Sequence, residues 1–298
     1  MRPLILLRGG GDLASGVALR LHRVGFQIII IELEKPLAVR RTVSFSEAIY
    51  EGTQTVEGVT GRLVSPDQLQ VALEAGEIPV IVDPNANILR DQFLTSPRSV
   101  FVVDARLLKT VPESLDVNIP LHIGLGPGFS AGENCHAVIE TRRGHTLGRV
   151  YWSGSAQADS GQPDGDPRRV LRAPHDGVIT AHAKIGDHLK EGQLIAEIQS
   201  EIGNRGFDTP SKNTRATQPP IGTQSSIENR KSKIVSPFKG VLRGLIHPDI
   251  EVSAGMKIGD VDSRDDPILC TLVSDKALAI GGGVLEAVFS FMVKLNSK

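Results

Sequence analysis

Apolar residues fill positions 4–7, give way to Gly9, Gly10 and Gly11, and return at Leu13, Val17, Leu21 and Val24, the spacing of one helix face. Gly25 closes that helix, and residues 26–33 read as a second buried strand, so the pattern predicts a β-α-β unit. Two further apolar runs, 80–82 and 100–103, end in Asp83 and Asp104, and a helix is expected between residues 66 and 76. Continuous apolar strands alternating with helices imply a parallel sheet covered on both faces. Residues 1–152 are therefore expected to form an α/β, Rossmann-like nucleotide-binding domain.

The pattern changes at 153–169, where small and polar residues offer nothing to bury and mark a linker. Beyond it the chain repeats itself. Ala173-Pro174-His175-Asp176-Gly177-Val178-Ile179 matches Ser236-Pro237-Phe238-Lys239-Gly240-Val241-Leu242, and the same register pairs Leu189 with Val252, Gly192 with Gly255 and Ile195 with Ile258. Strand-turn-strand spacing in each half predicts two interlocked halves over 170–262, a mostly β barrel-sandwich domain similar to biotinyl and lipoyl carriers. An insertion at about 203–232, polar and charged, is expected to be disordered. It lacks Met-Lys-Met, and Lys212, Lys231 and Lys233 have no such setting, so neither biotin nor lipoate is expected. Residues 263–298 read as a glycine-rich turn at Gly281, Gly282 and Gly283 followed by a C-terminal helix with Val284, Leu285, Val288, Phe291 and Met292 as its apolar stripe.

Composition narrows the partners. Among 298 residues, 33 Lys and Arg oppose 34 Asp and Glu, and the net charge of −1 provides no basic field for nucleic acid or an anionic bilayer. Two cysteines, Cys135 and Cys270, cannot make a disulfide framework. The N-terminal apolar run is too short for a signal-peptide core, and the purest apolar block, 28–31, is far below the ~18 residues of a membrane span. A cytoplasmic protein is the expectation.

Gly9-Gly10-Gly11-Asp12-Leu13-Ala14 fits G-x-G-x-x-A between a strand and a helix, with Glu32 at the end of the next strand. Gly9 would permit the turn, Gly11 would let a pyrophosphate approach the backbone, Ala14 would allow close packing and Glu32 would accept from ribose hydroxyls. Asp12 opposes this, because its charge suits an N-cap and repels phosphate. Asp83 and Asp104 stand where open α/β sheets place ligands, or else cap the following turns. Arg40 and Arg41 follow the second strand and could grip phosphate or carboxylate, or form a solvated loop. Gly126 and Gly128 form a second glycine-rich turn able to cradle an anion. In CHAVIETRRGH, Cys135 and His136 would point to opposite faces of a strand, so no metal is expected, and Glu140, Arg143 and His145 are better placed to anchor a substrate. Gly282 and Gly283 at a helix entry could bind an anion, with Lys276 and Glu286 nearby.

Several segments together carry a family resemblance: RGGGDLASGVALRLHRVGF, EKPLAVRRTVSFSEAIYEG, TVEGVTGRLV, VDPN, VDARL, HIGLGPGFSAGENCHAVIETRRGHTLGRV, RAPHDGV and AIGGGVLEAV. The chain resembles the YqeB-type maturation proteins of selenium-dependent molybdenum hydroxylases, everywhere but about 203–232. The first fingerprint and GGGVLEA are also similar to XdhC/CoxI-type chaperones, although no cysteine follows these glycines. The resemblance implies an accessory role toward an apo molybdenum hydroxylase of the xanthine dehydrogenase type, with NAD or a molybdopterin dinucleotide as the bound nucleotide and with a homo-oligomer compatible. A free-standing NAD-dependent oxidoreductase, with His136 or His145 as general acid, is the alternative. Whether the chain is an enzyme stays open.

Overall fold

The computed structural model describes residues 3–90, 99–159, 161, 165–200 and 230–297. The first apolar run forms β1 (Leu4–Arg8), buried at every position, and the next forms β2 (Gln27–Glu32), with helix α1 (Asp12–Arg23) between them. Leu13, Val17 and Leu21 of α1 lie in the core, as their spacing requires. Short helix α2 (Ala48–Glu51) precedes the hairpin β3 (Thr53–Val56) and β4 (Val59–Leu63). Helix α3 (Leu69–Glu74), opened by the Ser65 capping box, leads to β5 (Ile78–Val82). β6 (Val100–Asp104), β7 (Leu121–Leu125), the short β8 (Ser130–Ala131), β9 (Ala137–Ile139), β10 (Val150–Tyr151) and β11 (Gly154–Ser155) follow.

Nine of these strands make one sheet in the order β10-β9-β7-β6-β1-β2-β5-β4-β3, and β8 pairs with β11 apart from it. The expected Rossmann-like domain is corrected here. The sheet is mixed, since β3 and β10 run antiparallel to their neighbours at its two edges. The crossovers from β6 to β7 and from β7 to β9 contain no helix, so the sheet's own connections supply α1 to one face and α3 to the other but no helix beyond β6.

The missing cover comes from the far end of the chain. Helix α4 (Asp275–Asn296) lies against α1, and Ala277, Ile280, Val284, Ala287 and Val288 join the core beneath the sheet. The expected turn at Gly281–Gly283 is likewise corrected: all three glycines are inside α4, where Gly281 and Gly283 allow close approach. A Cβ on Gly281 would stand 2.7 Å from the Gly16 carbonyl oxygen, and one on Gly283 2.1 Å from that of Gly148. The chain from 267 to 295 is long and apolar enough to cross a membrane by length and composition, but α4 spends its most buried face on the sheet unit.

Between the two lies the β region: β12 (Val170–Arg172), β13 (Gly177–Ala181), β14 (His188–Leu189), β15 (Leu194–Gln199), β16 (Lys231–Val235), β17 (Gly240–Leu245), β18 (Glu251–Val252) and β19 (Lys257–Asp262). It is not the carrier-type barrel-sandwich domain expected. It forms two four-stranded antiparallel sheets, β12-β19-β17-β14 and β16-β15-β13-β18, around one apolar core. It is inserted between the large sheet and that sheet's covering helix, and Gly244 packs on the Val39 carbonyl of the first unit. The repeat halves exchange strands, β13 pairing with β18 and β14 with β17. Of the insertion expected to be disordered, 203–229 lies outside the described residues, while Lys231 and Ser232 pair in β16, because they continue the ladder with β15.

The α1–α4 contact yields a paired test. A Cβ on Gly16 would meet the Ala277 Cβ at 2.6 Å and its backbone at 2.7 Å, whereas one on Gly282 meets nothing within 4 Å. Gly16→Ala is expected to cost about 1–3 kcal/mol through overpacking, while Gly282→Ala gains up to about 1 kcal/mol from helix propensity. Urea melts of both variants check this, and equal midpoints would remove the contact as a constraint.

Candidate functional site

The parallel strands β1, β2, β5 and β6 end together, and a crevice of about 450 Å³ opens at their carboxyl ends. Its walls are Gly9 and Gly11, Leu33, Pro36 and Leu37 after β2, and residues 105–108 after β6. The lining is mainly apolar, with Arg8, Arg106, Glu32 and Asp83 at its edges. Gly9 takes φ +92°, the left-handed turn that a side chain would strain. A Cβ on Gly10 would collide with the Ser46 amide nitrogen at 2.9 Å, so that glycine serves packing, whereas one on Gly11 finds open space. Gly11 is the N-cap of α1 and carries no side-chain cap, which leaves the positive end of the helix facing the opening.

Glu32 is turned onto the loop itself. Its carboxylate accepts from the amides of Gly10 (2.7 Å) and Leu33 (2.7 Å). Burial pushes its pKa above the ordinary range, although those amides pull the other way. Beside it runs an ion-pair network that the sequence reading missed. Arg8, 2% exposed, donates to Asp104 (3.1 Å) and Glu113 (2.5 Å), and Arg106 donates to the same two carboxylates (2.6 and 2.8 Å). An arginine ending the run LILLR was the available signal, since a buried strand tolerates a charge only when partners await it.

Past Leu107, a smaller cavity of about 210 Å³ is lined by Lys109, Arg142, Arg143 and Lys276. Arg143 donates two hydrogen bonds to Asp275 (2.7 and 2.8 Å), so it reaches this lobe as part of an ion pair. Leu13 of α1 also lines the lobe, which places both cavities at the same helix end.

The remaining candidates scatter. Asp12 is paired with Arg40 (3.4 Å), whose other nitrogen donates to the Leu269 and Leu272 carbonyls. Arg41 donates to the Leu245 carbonyl and to Glu47, away from the crevice. Ala14 is buried inside α1. Asp83 accepts from the Asn87 and Ile88 amides (3.0 and 2.8 Å) as a cap. Asp104 is wholly buried under the two arginines. Gly126 has φ +93°, and a Cβ on Gly128 would meet the Thr110 oxygen at 2.4 Å, so this turn is packed against the neighbouring loop. Glu140, expected to anchor a substrate, spends both oxygens on the Arg142 and Gln157 amides (2.7 and 2.8 Å). His145 and Glu286 are exposed, and neither His136 nor His145 lines the crevice. Gly282 and Gly283, mid-helix in α4, present no free helix end.

Elsewhere, ligand atoms of Glu47, Glu51 and His247 lie within 4.8 Å of one another. Glu47 is already paired with Arg41, and His247 Nδ1 accepts from the Asp249 amide (3.2 Å). A histidine ligating through Nε2 needs Nδ1 to donate instead, so this group does not fit a metal. Buried Cys135 has its thiol pushed up to about 11 by burial, and His122 is pushed down to about 4 by burial, so both stay neutral at pH 7.

Comparison with known proteins gives one strong relative. The chain is 42% identical over 294 residues, 97% of its length, to "Uncharacterized protein YqeB" of Escherichia coli (strain K12), and it spans 48% of that protein. No family model matches. Among solved structures, an aspartoacylase family protein from Mesorhizobium loti MAFF303099 covers 88% of this chain and 85% of its own at 11% identity and TM-score 0.25. A succinylglutamate desuccinylase from Silicibacter sp. TM1040 covers 87% and 84% at 15% identity and TM-score 0.24. At such scores, the fold is read from the strand order alone.

The Arg8–Glu113–Arg106 bridge predicts a pH dependence. Partial burial raises the Glu113 pKa, but hydrogen bonds from Arg106 and Arg8 outweigh it and pull the group from 4.5 to about 2. A lowered folded pKa means that the stability it contributes is complete above 4.5 and is lost as pH falls toward about 2. The stability difference between wild type and Glu113→Gln is expected to stay constant from about pH 7 to pH 5 and to shrink below that. Denaturant melts across this range check it, and a difference independent of pH would assign Glu113 a packing role.

Proposed function

We propose that this chain, YqeB-like along 97% of its residues, is a nucleotide-binding accessory factor for maturing a selenium-dependent molybdenum hydroxylase in the cytoplasm. The crevice at the carboxyl ends of β1, β2, β5 and β6 carries the reading. Its apolar walls at Leu33, Pro36, Leu37, Leu107 and Leu108 suit a flat heterocycle, while the uncapped start of α1 suits phosphate. Open space beside Gly11 is the feature a diphosphate needs, because its oxygens must come within hydrogen-bond reach of backbone amides.

The residues present fit NAD or a molybdopterin dinucleotide in outline. The diphosphate would lie across Gly11 and toward the lobe where Arg142 and Lys276 favour an anion and Lys109 is paired with Asp159. Glu32 can accept from a ribose hydroxyl with the lone pairs its two amide bonds leave, and its charge disfavours a 2′-phosphate. When bound, such a group supplies a ring and a diphosphate handle. This chain supplies the pocket, the orientation and the exclusion of water from the ring. An apo hydroxylase is the proposed partner.

Gly11→Val tests the crevice without burdening the fold, since φ at Gly11 is −65° and its Cβ direction is open. Calorimetric titration with NAD and with molybdopterin cytosine dinucleotide is expected to show the variant weakened more than about tenfold, roughly 1.4 kcal/mol. Equal affinity in wild type and variant would defeat the reading.

A further inference from the structure

Helix α4 is apolar on two sides. Ala277, Ile280, Val284, Ala287 and Val288 face the core, where α4 packs on α1, β7, β9 and β10. On the opposite side Leu278, Gly282, Leu285, Phe289 and Met292 follow one another at intervals of 4, 3, 4 and 3 residues, the seam spacing of paired helices. Only 33% of the most apolar 18-residue stretch of this segment is buried. A helix that is apolar all round belongs inside a protein, so the outer seam calls for a partner.

We propose that this seam pairs in parallel with the same seam of a second copy of the chain, α4 against α4, in a two-fold dimer. The proposal is independent of the crevice reading and rests on three observations. The first is the state of the seam residues. Phe289 is 43% exposed although its ring meets the buried Phe26 edge-on at 5.8 Å, so it is held in place while one side stays in water. Val293, one turn further along the same face, is 62% exposed. Leu278, Leu285 and Met292 are half-buried at the margin of the core, and a Cβ on Gly282 would find nothing within 4 Å. Gly282 therefore leaves the helix backbone bare in the middle of the seam, where a facing helix can come close.

The second is charge. Arg20 of α1 lies along one flank of the seam, its Cγ 2.9 Å from where a Gly281 Cβ would stand. Glu286 lies on the other flank, about 140° round the helix from Gly281 at about 100° per residue. Both are exposed, and neither has an ion-pair partner among the described residues. A two-fold axis parallel to α4 turns the Arg20 flank of each copy toward the Glu286 flank of the other, so the attraction operates twice. An antiparallel pairing would set like flanks together. A bilayer suits the seam less well, because a helix lying on a membrane carries a polar face rich in Lys and Arg, whereas the far side of α4 is the protein core and its flank holds Glu286.

The third is size. The 22 residues of α4 span about 33 Å and the 12 of α1 beside it about 18 Å, so at a width of about 10 Å the two-helix face covers roughly 500 Å². A specific dimer at the small end of the range buries about 600 Å² on each partner, which makes this face sufficient for a reversible dimer.

Sedimentation velocity of the whole chain from about 1 to about 200 µM is expected to show monomer giving way to dimer. Val293→Glu places a charge on the seam outside the core, and is expected to weaken the dimer at least about tenfold while the thermal melt of the monomer is unchanged. Arg20→Glu and Glu286→Arg are each expected to weaken it about tenfold, and the double variant to regain the original affinity, because the reversed charges meet again only across the two-fold axis. A chain that stays monomeric throughout, a dimer indifferent to Val293→Glu, or a double variant as weak as the singles would overturn the proposal. Monomer in solution together with binding to phosphatidylserine vesicles that Val293→Glu abolishes would overturn it in favour of a membrane surface. Gly11→Val is expected to leave the dimer intact, so this outcome and that of the crevice titration are read separately.

Discussion

The close approach of α1 and α4 is the constraint on which the rest of the molecule depends. Gly16, Ala277 and Gly281 let two helix backbones touch, and only at that distance do Ile280, Val284 and Val288 reach the core under the large sheet. Without α4, the face of β6, β7 and β9 would stand open, because the crossovers between them hold no helix. The chain must therefore finish before its first unit is complete. The β region is held as an insertion, pinned where Arg41 donates to the Leu245 carbonyl, Thr42 to the Cys270 carbonyl and Lys35 to the Asp249 carbonyl.

That closure also makes the basic lobe. The start of α4 brings Lys276 beside the end of α1 and Asp275 beside Arg143, so the lobe exists only once the last helix has docked. Much of the charge that looked chemical in the sequence is consumed in holding these parts together. Glu140 orders the linker by binding the Gln157 amide, Asp83 caps a turn, and Asp104 neutralises two arginines in the sheet. What stays available for a ligand is backbone and apolar surface in the crevice.

Local order was legible because it is set by neighbours along the chain. The β-α-β opening, the glycine turn at Gly9, the helix before β5 and the register of the internal repeat all follow from apolar spacing and turn residues acting over a few positions. Gly281 to Gly283 misled for the same reason: three glycines in a row signal a turn locally, yet here Gly281 and Gly283 remove side chains so that another backbone can pass. Arg8 went unnoticed as a charge because its partners are 96 and 105 residues away.

By itself, the sequence determined the β-α-β opening, the helix before β5, the strands β5 and β6, that the latter half repeats, and that the net charge is close to zero. Only the tertiary structure decided that the sheet is mixed, that the β region is an insertion, and which arginines converge. The physical reason is range. Propensity and periodicity act within a turn or two of chain, whereas helix-on-helix contact and charge pairing depend on where segments hundreds of residues apart come to rest, and those distances are fixed by packing alone.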